Sequence, residues 1–275
     1  MYTTTYGLGE MIRDAIRKGC RRFLVGIGGS ATNDGGIGML QALGYGFYNK
    51  HGKPVPYGAA GLRELVSIDR CNVLPELEEC SFYVACDVSN PLCGRRGSSV
   101  VYGPQKGAAP ELIPLMDDWM GQYAALAGKL FPHADPDYPG VGAAGGVGFA
   151  FLTFTHAVLE PGIDIILRET GVKRYIEKAD LVITGEGRLD GQTAMGKAPA
   201  GIAKLAKRYG KPVVAFAGGV TEDAGICNTC GIDAFFPIVR SAAALEEVMA
   251  PAVARKNMIL AAEQVMRLWK AAADR

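Results

Sequence analysis

The chain has 275 residues, 49% apolar and 21% charged, the proportions of a globular protein with room for one large domain or two smaller ones. Its 29 basic and 28 acidic residues nearly cancel, which argues against a nucleic-acid surface and against a charged disordered arm. No run of about 18 apolar residues offers a transmembrane helix. The first five residues lack the basic-then-apolar order of a signal peptide, and seven irregularly spaced cysteines read as reduced cytoplasmic thiols.

Along the chain, Leu8, Met11, Ile12, Ala15 and Ile16 recur at helical spacing and predict a first helix, stopped by Gly19. Residues 23–27 predict a buried strand that runs into a glycine-rich loop at 28–36. Met39, Leu40 and Leu43 mark a second helix. Helix, strand, loop and helix in this order is the alternation of an α/β protein. Residues 82–85 predict a strand ending in Cys86-Asp87. Residues 109–130 predict a helix around Leu115, Trp119 and Tyr123, and the Pro/Asp/Gly-rich stretch 133–142 an exposed loop. In the last third, residues 181–184, 213–217 and 234–238 predict short apolar strands. Between the first two, Pro199 opens and Gly210 closes a helix that buries Ile202, Leu205, Ala206 and Tyr209. Crossover helices imply parallel pairing. A final helix is expected to bury Met258, Ala262, Val265 and Trp269 in the core.

The 37 glycines cluster at 26–29, 35–36, 140–148, 185–191 and 218–219, each after an apolar segment of β type. Linkers are serine-rich and poor in apolar residues, so these runs read as loops that approach a ligand closely. The richest in chemistry is 184–198. It lies between a strand and a helix, where ligands bind at strand ends and a helix N-terminus favours phosphate. Gly191 to Lys197 fits G-x-x-x-x-G-K, but Ala198 stands where a Walker A loop places Ser or Thr for magnesium, so a true P-loop is excluded. What stays is a phosphate cradle of Gly185, Glu186, Gly187, Gly191 and Gly196 with Lys197 and Asp190; a plain βα turn with a solvated lysine is the competing reading.

The loop 28–36 offers Gly28 and Gly29 for phosphate, and Ser30, Asn33 and Asp34 for hydroxyl or carboxylate groups, unless Asn33 or Asp34 simply caps the next helix. Asp87 sits just past a strand, where catalytic or metal-binding carboxylates are found, or else it shapes a turn with Asn90 and Pro91. Lys106, between glycines in Gly103-Pro-Gln-Lys-Gly107, suits an anion. Cys227-Asn-Thr-Cys230 matches C-x-x-C but has no second pair, and His51, His133 and His156 are scattered.

Several of these segments occur in order: Thr4 to Glu10, Gly26 to Gly36, Ala85-Cys-Asp-Val with Asn90-Pro, Gly103 to Gly107, Gly145-Gly146, and Ile183-Thr-Gly-Glu-Gly with Asp190-Gly-Gln192 and Gly196-Lys197. Together they resemble the bacterial glycerate kinases of the first type, over essentially the whole chain. The resemblance implies an α/β fold of two lobes, one Rossmann-like with a mainly parallel sheet, the other mixed, and a ligand cleft between them. The division is expected at 1–160 and 161–275. It implies ATP with Mg2+ as cofactor and phosphorylation of D-glycerate, at the 2-hydroxyl rather than the 3-hydroxyl. Small-molecule hydroxy acid and nucleotide are the expected partners, with no nucleic acid or membrane; the location is cytoplasmic, and a homodimer is left open.

The roles expected from the chemistry are Lys197 with Asp190 at the transferring phosphate and Asp87 as rival carboxylate. Mg2+ is expected on Asp190 or Asp87. Arg188, Asn33, Asp34 and Ser30 are candidates for glycerate, and Lys106 for either anion. Family members begin with a strand carrying D-S-F-K and a later D-G-G-E-G segment; neither occurs here. An N-terminal portion is therefore expected to be absent and this chain alone to be inactive or nearly so. Two other readings are a non-catalytic anion-binding remnant and a different α/β group transferase, such as a methyltransferase.

Overall fold

The structure, a computed structural model, describes residues 1–273. The chain folds into two compact units, one running from Met1 to Ile165 and the other beginning at Ile166.

In the first unit, α1 (Tyr6–Arg17) turns Ile12 and Ile16 inward and packs on α2 (Ile37–Ala42). In the chain, β1 (Arg22–Gly26) comes between these two helices. β2 (Gly46–Tyr48), α3 (Ala59–Glu64) and β3 (Ser67–Asp69) follow, the two strands pairing antiparallel. Then come β4 (Ser81–Ala85), α4 (Ser98–Tyr102), α5 (Ile113–Leu130), α6 (Ala143–Phe154) and β5 (Ala157–Glu160). β1, β4 and β5 form a parallel sheet in that order. The core lies on one face of this sheet, where Phe82 and Val84 meet Phe151, Phe149 and Tyr123. Tyr123 stacks on Phe154 at 6.0 Å and meets Phe149 edge-on at 5.3 Å. Each such buried aromatic contributes roughly 1.5–3 kcal/mol of transfer free energy.

The strand predicted as buried at 23–27 begins one residue earlier and is buried on one side only. Phe23 and Val25 pack inward, whereas Leu24 is 48% exposed. An unbroken apolar run does not reveal which face a sheet leaves open.

α7 (Gly162–Glu169) crosses into the second unit, which continues with α8 (Lys173–Ile176), β6 (Val182–Leu189), α9 (Ala198–Arg208), β7 (Val213–Val220), β8 (Ala234–Pro237), α10 (Leu245–Met249) and α11 (Pro251–Ala273). β6, β7 and β8 form a second parallel sheet in chain order. α9 lies on one face, with Ala203 and Ala206 against Val213, Ala215 and Ala217. On the other face Val265 of α11 meets Val214 and Phe216. The architecture is α/β, with two parallel sheets, one small antiparallel pair and, among the described residues, no barrel.

Two expectations are corrected. Strands β6 and β7 do not stop where their apolar runs stop. They carry on through Gly185–Arg188 and Gly218–Gly219, pairing Glu186 with Ala217 and Arg188 with Gly219. Gly185 permits this close ladder, since a Cβ there would lie 2.4 Å from the Phe216 carbonyl oxygen. α11 also buries less than its periodicity predicts. Val265 is buried, but Met258 and Trp269 are 39% and 37% exposed, because only the middle of the helix reaches the sheet.

Candidate active site

In the first unit, β1 and β4 end side by side, Gly26 opposite Ala85. Ligands in parallel sheets bind beyond such carboxyl ends. Here an open pocket of about 410 Å³ is lined by Gly28, Gly29 and Ser30 after β1, by Asp87 after β4, and by Tyr102 and Lys106. The Lys106 ammonium donates to Ser30 Oγ at 2.9 Å and to the Thr32 carbonyl at 2.7 Å. Both partners are neutral. Burial pushes the Lys106 pKa down to about 8, against the pull of the Asp34 carboxylate. A half-buried cation held only by neutral acceptors favours an anionic ligand.

Asp87 is exposed in the same pocket. Its Oδ1 accepts the N–H of Gly162 at 2.9 Å, and Oδ2 has no hydrogen-bond partner among the described residues. Asn90 has a structural part, though not the turn with Asp87 that the sequence suggested. It accepts the Tyr102 hydroxyl at 2.6 Å and donates to the Arg96 carbonyl at 2.8 Å, which ties the loop together. Ala144 lines the pocket with φ +56°, a left-handed conformation that costs a non-glycine residue roughly 1–2 kcal/mol.

Asn33 and Asp34 lie deeper. Asn33 is 6% exposed and donates to Ser99 Oγ at 2.9 Å. Asp34 is wholly buried. Its Oδ2 accepts the Thr5 N–H at 2.8 Å and the Thr5 hydroxyl at 2.9 Å, and Oδ1 accepts the Gly36 N–H at 3.0 Å. Burial pushes its carboxyl pKa up, and these bonds resist that rise. Gly36 starts α2 at φ +76°, where a Cβ would lie 2.4 Å from that of Ala150. Asp34 thus fastens the 28–36 loop to the start of α1. Asp34→Ala is expected to cost about 3–5 kcal/mol, because it strands several buried donors. Urea unfolding would show this as a lower midpoint; an unchanged midpoint would mean that the bonds contribute nothing to stability.

In the second unit, β6 delivers Glu186 and Arg188, and the turn after it delivers Asp190, then Lys197 as the N-cap of α9. Asp190 Oδ1 accepts the N–H groups of Gln192 at 3.0 Å and Thr193 at 3.2 Å. Lys197 Nζ stands 3.6 Å from the same oxygen, and Arg188 Nε 4.0 Å from Oδ2. Gly191 and Gly196 lie within this turn, which brings Asp190, Lys197 and Glu186 together; Arg188, expected with Ser30 and Asn33 at glycerate, stands beside Asp190 instead. Gly185 and Gly187, read there as loop glycines, are strand residues.

Two residues that hold this turn went unnoticed in the sequence. Thr193 is wholly buried and donates its hydroxyl to Glu186 Oε1. Asp223, beyond β7, accepts the Gly191 N–H at 3.1 Å and the Thr221 hydroxyl at 2.5 Å. The Thr221 bond, then the Gly191 bond, hold the Asp223 carboxyl below the usual range. Asp223 was readable in principle as an acid just past a strand parallel to β6. Thr193 gave no signal, since a threonine in a turn usually meets only backbone.

No cluster of three or more metal-ligating side chains occurs among the described residues. Magnesium needs less: one or two carboxylates, with waters and substrate phosphates completing the shell. The carboxylate oxygens of Asp190 and the open Oδ2 of Asp87 fit that requirement. No helix among the described residues is long and apolar enough to cross a membrane.

A family model described as the glycerate kinase family matches residues 1–270. The chain is 43% identical over 268 residues to a glycerate kinase of Haemophilus influenzae, covering 98% of this chain and 70% of that protein. It is 44% identical over 248 residues to glycerate 2-kinase of Escherichia coli K12, covering 90% of this chain and 65% of that one. A crystal structure assigned to glycerate kinase 2 of Salmonella typhimurium LT2 superposes with a TM-score of 0.86 at 42% identity, over 99% of this chain and 71% of that chain. The chain thus spans about two thirds of the length of the curated relatives it matches. Fold and relatives together define an α/β kinase, a phosphotransferase with an alcohol acceptor. The chain belongs to the glycerate kinase family.

Proposed function

We propose that this protein transfers the γ-phosphoryl group of ATP to D-glycerate, at the 2-hydroxyl. The observation that carries the reading, beside family membership, is the half-buried Lys106 ammonium, hydrogen-bonded to neutral acceptors, in the pocket at the ends of β1 and β4. It suits a small hydroxy acid. Its charge meets the carboxylate, while Ser30 and the backbone around Gly28 and Gly29 offer hydrogen bonds to hydroxyls. Asp87, exposed with Oδ2 open, takes the proton of the attacking hydroxyl.

The turn after β6 meets the nucleotide. Lys197 and Arg188 face the phosphate oxygens, where preorganised cations stabilise the charge of a transferring phosphoryl group. Asp190 holds the Lys197 ammonium in place and is the group that would carry magnesium. Bound with ATP, Mg2+ supplies further neutralisation of phosphate charge. A methyl-transferring role on the same fold has less support. A cluster of lysine, arginine and carboxylates fits polyphosphate with magnesium better than a sulfonium cofactor.

At the full length of its curated relatives, of which this chain spans about two thirds, the protein given D-glycerate and Mg-ATP is expected to release ADP in a coupled assay, with the product resolved as 2-phosphoglycerate by phosphorus NMR. Turnover with other hydroxy acids or sugars but none with glycerate would sink the reading. A 3-phosphoglycerate signal would move the acceptor to the other hydroxyl.

A further inference from the structure

Glu186 and Asp190 stand four residues apart across the end of strand β6, on backbone of two different kinds. Glu186 belongs to the parallel ladder with β7, and Asp190 opens the turn into α9. Nothing in the ladder itself fixes one carboxylate relative to the other. The residue that links them is Thr193, which is wholly buried. Its hydroxyl donates to Glu186 Oε1 and accepts the Asp190 N–H at 3.3 Å, while its own N–H reaches Asp190 Oδ1 at 3.2 Å. The hydroxyl also lies 3.4 Å from Asp190 Oδ1, but its single proton serves the nearer Glu186 oxygen.

We infer that Thr193 is the positioning residue of the phosphate-binding turn, its hydroxyl tying the Glu186 carboxylate to the Asp190 backbone N–H and its own N–H holding the Asp190 carboxylate. The inference rests on the kinase reading above and adds a residue that neither the sequence nor the family match assigns a role. Thr193 is enclosed by protein, so it acts only through its neighbours. The Lys197 ammonium leans on Asp190 Oδ1, so a displaced Asp190 carries Lys197 with it. From the other side Asp223 fixes the Gly191 N–H, which leaves the turn pinned at both ends and gives the loss of one pin a local effect.

The test compares Thr193→Val, nearly the same shape without the hydroxyl, with Thr193→Ser, which keeps the hydroxyl and drops the methyl. Misplacing a catalytic group by about 1 Å can cost on the order of a hundredfold, so Thr193→Val is expected to lower kcat roughly 30- to 100-fold. KM for glycerate should stay within about threefold, since glycerate is assigned to residues of the other unit. Thr193→Ser is expected to recover kcat to within about threefold of the native enzyme, as a hydroxyl in the same place restores the shared bond.

A double-mutant cycle guards against mere loss of packing. On a Glu186→Ala background, where one end of the link is already gone, Thr193→Val should cost clearly less than it does alone. The inference is overturned if folded Thr193→Val keeps kcat within twofold, if Thr193→Ser falls as far as Thr193→Val, or if the two substitutions are fully additive. Should Thr193→Val fail to fold, the Thr193→Ser rate decides, full loss there overturning the idea. If the native protein shows no turnover of glycerate, the kinase reading fails first and the inference falls with it. Native turnover with an indifferent Thr193→Val leaves the kinase reading standing and removes the inference alone.

Discussion

Lys197→Ala is expected to lower kcat roughly a hundred- to a thousand-fold, the cost of about 3–4 kcal/mol that follows the loss of one preorganised charge at a transition state. The same change should raise KM for ATP, because ground-state phosphates also carry charge. Asp190→Asn should behave differently. It keeps the shape of the turn and leaves a carbonyl oxygen to accept the Gln192 and Thr193 N–H groups, but it removes the charge that faces Lys197 and Arg188. If Asp190 carries magnesium, its rate should recover in part as magnesium is raised. If it only orders Lys197, the loss should be insensitive to magnesium. The competing structural reading holds that both residues merely finish a βα turn. Each variant would then lose little activity, and any loss would track a lower Tm. Near-normal kcat in both, on folded protein, would move the chemistry to Asp87 and Lys106.

The sequence exposed this turn because its chemistry is local. Asp190, Gly191, Gly196 and Lys197 lie within eight residues, and a strand before and a helix after can be read from apolar spacing alone. What it hid depends on pairing between distant segments. Strand β6 runs on through Gly185–Arg188 because β7 presents an equally glycine-rich stretch to it, and neither stretch alone carries β-branched residues that would announce a strand. Asp34, among small polar neighbours, was open to two readings, an acid that meets a ligand or a cap of the next helix. Its burial follows from Thr5, 29 residues earlier, supplying two donors. The long spacing of α11 suggested a buried helix, yet periodicity reports which residues share a face and not how much partner surface that face meets.

Lys106→Met is expected to weaken glycerate binding and strengthen the fold at once. Removing one partner of a desolvated charge contact costs about 2–4 kcal/mol, so KM for glycerate should rise roughly thirty- to several-hundred-fold. The stability effect runs the other way. The folded pKa of about 8 lies below the ordinary lysine value of 10.5, and burial is its chief cause. Between those two pH values the unfolded chain binds more protons than the folded one, so stability rises with pH across that window. Below it the protein bears the full cost of holding a charged ammonium in a half-buried pocket. Methionine retains most of the apolar stem and removes that cost. The variant should therefore melt at a higher temperature than the native protein at pH 7, with the gap closing from pH 8 upward. The native KM for glycerate should climb above pH 8, as Lys106 of the free enzyme loses its proton, and the variant's should not share that rise. A solvated lysine with no ligand would give another pattern: unchanged KM, no difference in pH profile and no gain in Tm. A raised KM without the pH-dependent gap in Tm would mean that Lys106 meets the substrate but is not the strained buried cation that its surroundings imply.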